Sequence, residues 1–231
     1  MLKRPQSLSV LITAFICVAP AWGGAIRSIA GATTLPKGDD VSSAAAPLGF
    51  NLNFLGLNNS TVYVNSNGNI TFNAPFVGYP GMPADNEAGG VVPPISNSTI
   101  PIISAFLADI DTSAPAVGSI TYGTTTVNGR AAFAATFTDV THFSWSAAGF
   151  DTRRNSFQIV LLDRSDTGTG NFDIELNYDK VEWETADSNG GVNGLGGYAA
   201  QAGYANGTLL PGTFFELAGS GVPVPSSTGL R

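Results

Sequence analysis

The chain has 231 residues and a mass of 23.7 kDa, only 12% of its residues are charged, and its formal net charge is −7. That balance excludes nucleic acid as a partner, because phosphate binding needs clustered Lys and Arg. The single cysteine, Cys17, lies in an N-terminal apolar stretch, so a chain cleaved after it has no disulfide, no zinc–thiolate site and no cysteine nucleophile.

Residues 1–25 read as a secretory signal. Lys3 and Arg4 form the basic start, Leu8 to Val18 the apolar stretch, and Pro20 ends it. Ala21-Trp22-Gly23 and Gly23-Gly24-Ala25 offer small residues for cleavage. The stretch is shorter than the roughly 20 apolar residues of a membrane span. No stable span is expected after cleavage. Residues 26–47 follow as an N-terminal loop segment, in which Thr33 to Asp40 is polar and turn-forming. The folded domain is expected over residues 48–220, and residues 221–231, rich in Pro, Ser and Gly, are expected to form a disordered tail.

Within the domain the period is two. Phe50, Leu52 and Phe54 alternate with Asn51 and Asn53, which predicts a half-buried strand. Val62 and Val64 alternate with Tyr63, Ile70 and Phe72 with Thr71, and Asn65-Ser66-Asn67-Gly68 between them predicts a tight hairpin turn. Residues 74–99 are rich in Pro and Gly and read as a long functional or covering loop, with Phe76, Tyr79 and Met82 as anchors. Ile102 to Ile110 is apolar at successive positions, the pattern of a strand covered on both faces. Ser119 to Tyr122 leads to the hairpin signal Asn128-Gly129, and Ala131 to Val140 returns. Residues 141–154 read as a connection or a bulged strand, and Phe157 to Asp163 as a second covered strand.

Phe172, Ile174, Leu176 and Tyr178 then alternate with Asp173, Glu175, Asn177 and Asp179, with Val181 and Trp183 continuing to the sheet edge. Asn189 to Gly197 is a Gly-rich loop, and Ala199 to Tyr204 and Phe214 to Leu217 are the last strands. About nine short strands and no helical period predict an all-β, antiparallel β-sandwich. A closed barrel of the same strands is the alternative. The expected core is Phe54, Val64, Phe72, Phe106, Phe137, Ile159, Leu161, Ile174 and Leu176.

The chemistry-bearing residues are few. His142 is the only histidine, and Ser144 or Ser146 beside it makes no nucleophile elbow. Asp173 and Glu175 share a strand face about 7 Å apart, a spacing that glycosidases use, but strict alternation describes a solvated face equally well. Gly194-Leu-Gly-Gly-Tyr-Ala199 has dinucleotide-loop spacing without the strand–helix context that such a loop needs. Asp109 and Asp111 end a covered strand, where two carboxylates supply part of the roughly six to eight oxygens that calcium takes. They are the candidate metal ligands, with calcium as the candidate cofactor. Asn-x-Ser/Thr sequons stand at Asn58, Asn59, Asn69, Asn97 and Asn206.

Tyr63-Val-Asn-Ser-Asn-Gly-Asn-Ile-Thr-Phe72 resembles the signature hairpin of the NIDO domain, the module named after nidogen. The resemblance continues in order through Ile102 to Thr112, with Leu107 where the family usually has Trp. It then runs through Asn155 to Leu162, Phe172 to Trp183, Ala202-Gly203-Tyr204 and Phe215 to Ser220. It implies an extracellular module acting in cell–matrix adhesion, whose partner is a matrix or cell-surface protein or glycan. It carries over no catalytic residue. Loops 74–99 and 187–197, with Tyr79, Met82, Tyr198 and Tyr204, are the expected contact surface. A secreted carbohydrate-active enzyme or a lectin-like glycan binder is the alternative. A cysteine-free mature chain behind a signal suggests bacterial secretion to the medium or the cell surface. Val222-Pro-Val-Pro-Ser226 resembles, in degenerate or truncated form, the start of a PEP-CTERM sorting signal, with Val224 where that signal has Glu. N-terminal sequencing of exported protein should find its first residue between positions 24 and 26. An intact Met1 on a membrane-bound product is the contrary result.

Overall fold

The computed structural model describes residues 25–76, 95–145 and 152–217. The signal segment, Tyr79, Met82, Ser146 and the 221–231 tail lie outside the described residues. Twelve strands are described: β1 (Thr33–Thr34), β2 (Ala46–Phe54), β3 (Leu57–Asn65), β4 (Asn69–Thr71), β5 (Ile102–Leu107), β6 (Ile110–Asp111), β7 (Ser119–Val127), β8 (Arg130–His142), β9 (Asn155–Asp163), β10 (Phe172–Lys180), β11 (Gln201–Ala205) and β12 (Phe214–Glu216). They form two antiparallel sheets. One has the order β1-β7-β8-β9-β10, with β6 pairing the end of β8; the other has the order β12-β11-β5-β4-β3-β2. This is the all-β sandwich expected from the alternation, and not a barrel. No helix among the described residues is long and apolar enough to cross a membrane.

The inner faces meet in one core. Phe54, Val64, Ile70 and Phe72 face Phe133, Phe137, Phe157, Ile159 and Leu161 across the sandwich. The two strands read as covered are covered for different reasons. Val160 and Leu162 on the outer face of β9 join Val127, Ala132 and Ala134, and Ile29 lies over them. Outside β5, Ile102 and Leu107 pack with Ile95 and Ala205. Residues 26–47 are thus more than a loop. They pack on one sheet, pair as β1 with β7, and reach the other sheet where Ser43 N–H donates to Val64 O.

The structure corrects the core in one place. Ile174 and Leu176 are half-buried, because β10 is a sheet edge and the short strand β12 opposite does not cover it. An apolar groove of about 350 Å³ remains there, lined by Ile174, Leu176, Tyr178, Tyr204, Phe215 and Leu217. Tyr178 closes one end by donating to Ala105 O of the opposite sheet at 2.6 Å. A second correction concerns Trp183. β10 stops at Lys180, and Asn155 Oδ1 accepts both Glu182 N–H and Trp183 N–H, at 2.8 and 3.2 Å. The chain turns inward, and the indole caps the core edge-on to Phe106 at 4.9 Å. Of the sequons, Asn69 and Asn206 are buried, so a glycan could not be carried there in the folded state.

Phe106 lies between Phe157, at 5.4 Å, and Trp183. Replacing it by Ala should cost about 3–5 kcal/mol of stability in denaturant unfolding. A loss below about 1 kcal/mol would contradict its place in the core.

Candidate functional site: an acidic cluster at the sheet crossover

β5 belongs to one sheet and β6 to the other. The chain therefore crosses the end of the sandwich at Ala108-Asp109, and the crossover fixes the site. Asp109 is 2% exposed. Its carbonyl accepts Phe143 N–H at 2.9 Å, and its Oδ2 accepts the Ser188 hydroxyl at 2.6 Å. Ile110, the next residue, pairs with His142, and its N–H is held by Asn67 Oδ1 at 2.9 Å.

Asn67 belongs to the signature turn, and its amide also donates to Asp40 Oδ1 at 2.7 Å. Asp40 arrives on the 38–42 segment, which is sewn to β6 and to the turn. Gly38 and Thr112 exchange hydrogen bonds, Asp39 bridges Asp111 through the backbone, and Val41 N–H donates to Ser66 Oγ. One carboxylate oxygen each of Asp39, Asp40 and Asp109 then lies within 4.8 Å of the others. Asp111, the sequence-derived partner of Asp109, is adjacent but outside this trio. Its Oδ1 accepts Ser113 N–H at 2.7 Å.

Burial raises the Asp109 carboxyl to about 7, against the hydrogen bond from Ser188 and with the charges of Asp39, Asp40 and Asp111 adding to it. Asp39 keeps an exposed side, yet partial burial, then Asp40 and Asp111, raise it to about 6. Asp40 is raised by burial too, and Asn67 works against the shift. Asp39 and Asp40 carried no signal in the sequence beyond a polar turn. What brings them to Asp109 is a pairing across some seventy residues, Asp39 to Asp111.

The other candidates are spent on structure. His142 is buried, edge-on to Trp183 at 5.5 Å, and its Nδ1 lies 3.0 Å from Phe143 O. The Ser144 hydroxyl donates to Asp187. Gly194 packs so closely on Trp183 and the His142 ring that a Cβ would stand 2.7 Å from Trp183 Cβ, so the Gly-rich loop serves packing. Glu175 pairs with Arg27 and Asp173 with Arg164, which makes their face a paired, wet one. Tyr204 packs between Phe54 and Phe215 and is no loop-tip contact. The same end of the sandwich presents Trp145, 64% exposed, and Val192, 72% exposed. Asp187 holds Trp145 by accepting its N–H at 3.0 Å.

The sequence model of the nidogen-like domain matches residues 60–227. The chain is 31% identical over 218 residues to alpha-tectorin of Mus musculus, and 32% identical over 223 residues to that of Homo sapiens. The alpha-tectorin of Gallus gallus is 30% identical over 215 residues. Each alignment covers 83% of this chain and 9% of the relative, so the chain spans less than a tenth of the length of these relatives. No solved structure matches it.

Asn67→Ala should lower unfolding free energy by about 1–3 kcal/mol, since it leaves the buried Ile110 N–H without its acceptor. Urea denaturation measures this. A change within about 0.5 kcal/mol would mean that the turn does not hold the crossover.

Proposed function

The chain belongs to the nidogen-like domain family, as a module of the extracellular-matrix type, and from that premise we propose that it is an exported, non-catalytic binding module acting in cell–matrix adhesion. Its partner is a protein or glycan of the matrix or of a cell surface. The observation that carries the reading is the end of the sandwich around Asp109. There Trp145 and Val192 stand exposed on segments fixed from beneath, Trp145 by Asp187 and the following loop by Ser188 on Asp109. An exposed indole on a rigid frame supplies contact area at little entropic cost.

The absence of catalysis is supported by what the candidate groups already do. A hydrolase needs an acid and a base facing one space. Asp173 and Glu175 each face an arginine, and His142 is packed beneath Gly194 and against Trp183. Modest affinity per module suffices when many copies are displayed together.

Plates coated with the purified protein should retain cells or matrix components. Trp145→Ala combined with Val192→Ser should reduce retention several-fold at an unchanged melting temperature. Retention equal to that of the unmodified protein would remove this end as the contact surface. Hydrolysis of a polysaccharide panel, abolished by Asp173→Asn or Glu175→Gln, would replace the binding function with an enzymatic one.

A further inference from the structure

We propose that Asp39, Asp40 and Asp109 together bind one calcium ion at the sheet crossover. The first ground is convergence: three carboxylates from two distant segments bring oxygens within 4.8 Å of one another. The second is an orphan. Asp109 Oδ1 is buried and has no hydrogen-bond partner, although its sister oxygen is satisfied by Ser188. A buried carboxylate oxygen with no donor carries a desolvation cost, and no group among the described residues offsets it. A cation at the convergence point supplies the missing partner.

A second orphan belongs to the residue after Ser188. Asn189 is buried, its Nδ2 has no partner, and its Oδ1 is 3.5 Å from the same Ser188 hydroxyl.

Among the described residues no counter-ion lies there. None of the three carboxylates is paired with Lys or Arg among the described residues. Lys37, two residues from Asp39, is turned away to the carbonyls of Ala114, Pro115 and Val117. The donors are all oxygen, which selects a hard cation over zinc or copper. Asp39 is exposed, so water can complete the shell, and an irregular, partly hydrated oxygen set suits calcium better than the strict octahedron of magnesium. Asp40 has one oxygen engaged by Asn67 and a second available, and Asp111 adds charge at the rim. The inference does not depend on adhesion, since the ion would be bound whether or not a partner is.

The test uses the purified full chain, stripped with chelator and titrated with calcium chloride. Calorimetry should find one ion per chain, and the melting temperature should rise by several degrees. Asp39→Asn, at an exposed position that leaves the fold intact, should weaken binding by roughly tenfold or more. Asp109→Asn should abolish the melting shift; if it does not fold, Asp40→Asn takes its place. No heat and no shift in the unmodified chain would overturn the proposal. So would an undiminished shift in both Asp39→Asn and Asp40→Asn. A magnesium shift equal to or larger than the calcium shift would overturn the choice of ion.

Discussion

The fold depends on a buried turn. Asn65, Ser66, Asn67 and Asn69 are all inaccessible to solvent, although a polar Asn-Ser-Asn-Gly-Asn sequence would ordinarily face water. Burying so many polar groups is tolerable only when each finds a partner. Here they do. Asn65 Nδ2 reaches Asn69 Oδ1 at 2.8 Å and Thr71 Oγ1 at 3.1 Å, and its Oδ1 accepts Ser42 Oγ and Phe76 N–H. Ser66 exchanges hydrogen bonds with Val41, and Asn67 serves Ile110 and Asp40. Gly68 sits at φ +74°, and a Cβ there would come within 1.8 Å of Phe106 O. Only glycine lets the turn back onto β5, where its carbonyl accepts from Ala105, Phe106 and Ser104.

The turn therefore serves as a joint among three chain segments: the hairpin that contains it, the β5–β6 crossover and the 38–43 segment. The acidic cluster sits at that joint, which explains why its members are so far apart in sequence. The neighbouring surface is tied to the same joint. Ser188 on Asp109 and Phe143 N–H on the Asp109 carbonyl tie the loops that carry Val192 and Trp145 to the crossover. Asp109 thus joins the crossover to the segments that lead to the exposed Trp145 and Val192.

Much of this fold was legible in the sequence because its signals are local. Val62, Val64, Ile70 and Phe72 alternate inward as their period requires, and the unbroken apolar runs of β5 and β9 mark strands covered on both faces. The turn was legible as a turn, but not as a buried one, since burial is decided by Ala105 and Phe106 some forty residues later. Ile174 and Leu176 obey the pattern and are still half-buried, because alternation reports which face a residue lies on and not whether the opposite sheet reaches it. Trp183 reads as a strand continuation until Asn155 captures the two N–H groups that a ladder would have used. Of the acidic cluster, Asp109 was visible as a carboxylate ending an apolar strand. Asp39 and Asp40 were not, because a two-residue pairing leaves no period to detect.

A chain whose described domain contains no cysteine must close its sandwich by other means, and residues 27–43 supply one. Arg27 exchanges hydrogen bonds with the Gln158 side chain on the outer face of one sheet and pairs with Glu175. Leu35 N–H donates to Ile120 O, and Leu35 itself is buried in the common core. Ser43 then pairs with Val64 of the other sheet through its backbone and its hydroxyl. The segment is a strap that crosses from one sheet to the other, and each attachment is worth a few kcal/mol at most. Asp39 and Asp40 lie at its middle, facing Asp109. Charge on Asp39 and Asp40 opposes charge on Asp109 there, against the hydrogen bonds at Gly38, Asp40 and Val41 that hold the segment. A cation bound there, as proposed, would reverse that sign and add a cross-link between the N-terminal segment and the sheet crossover.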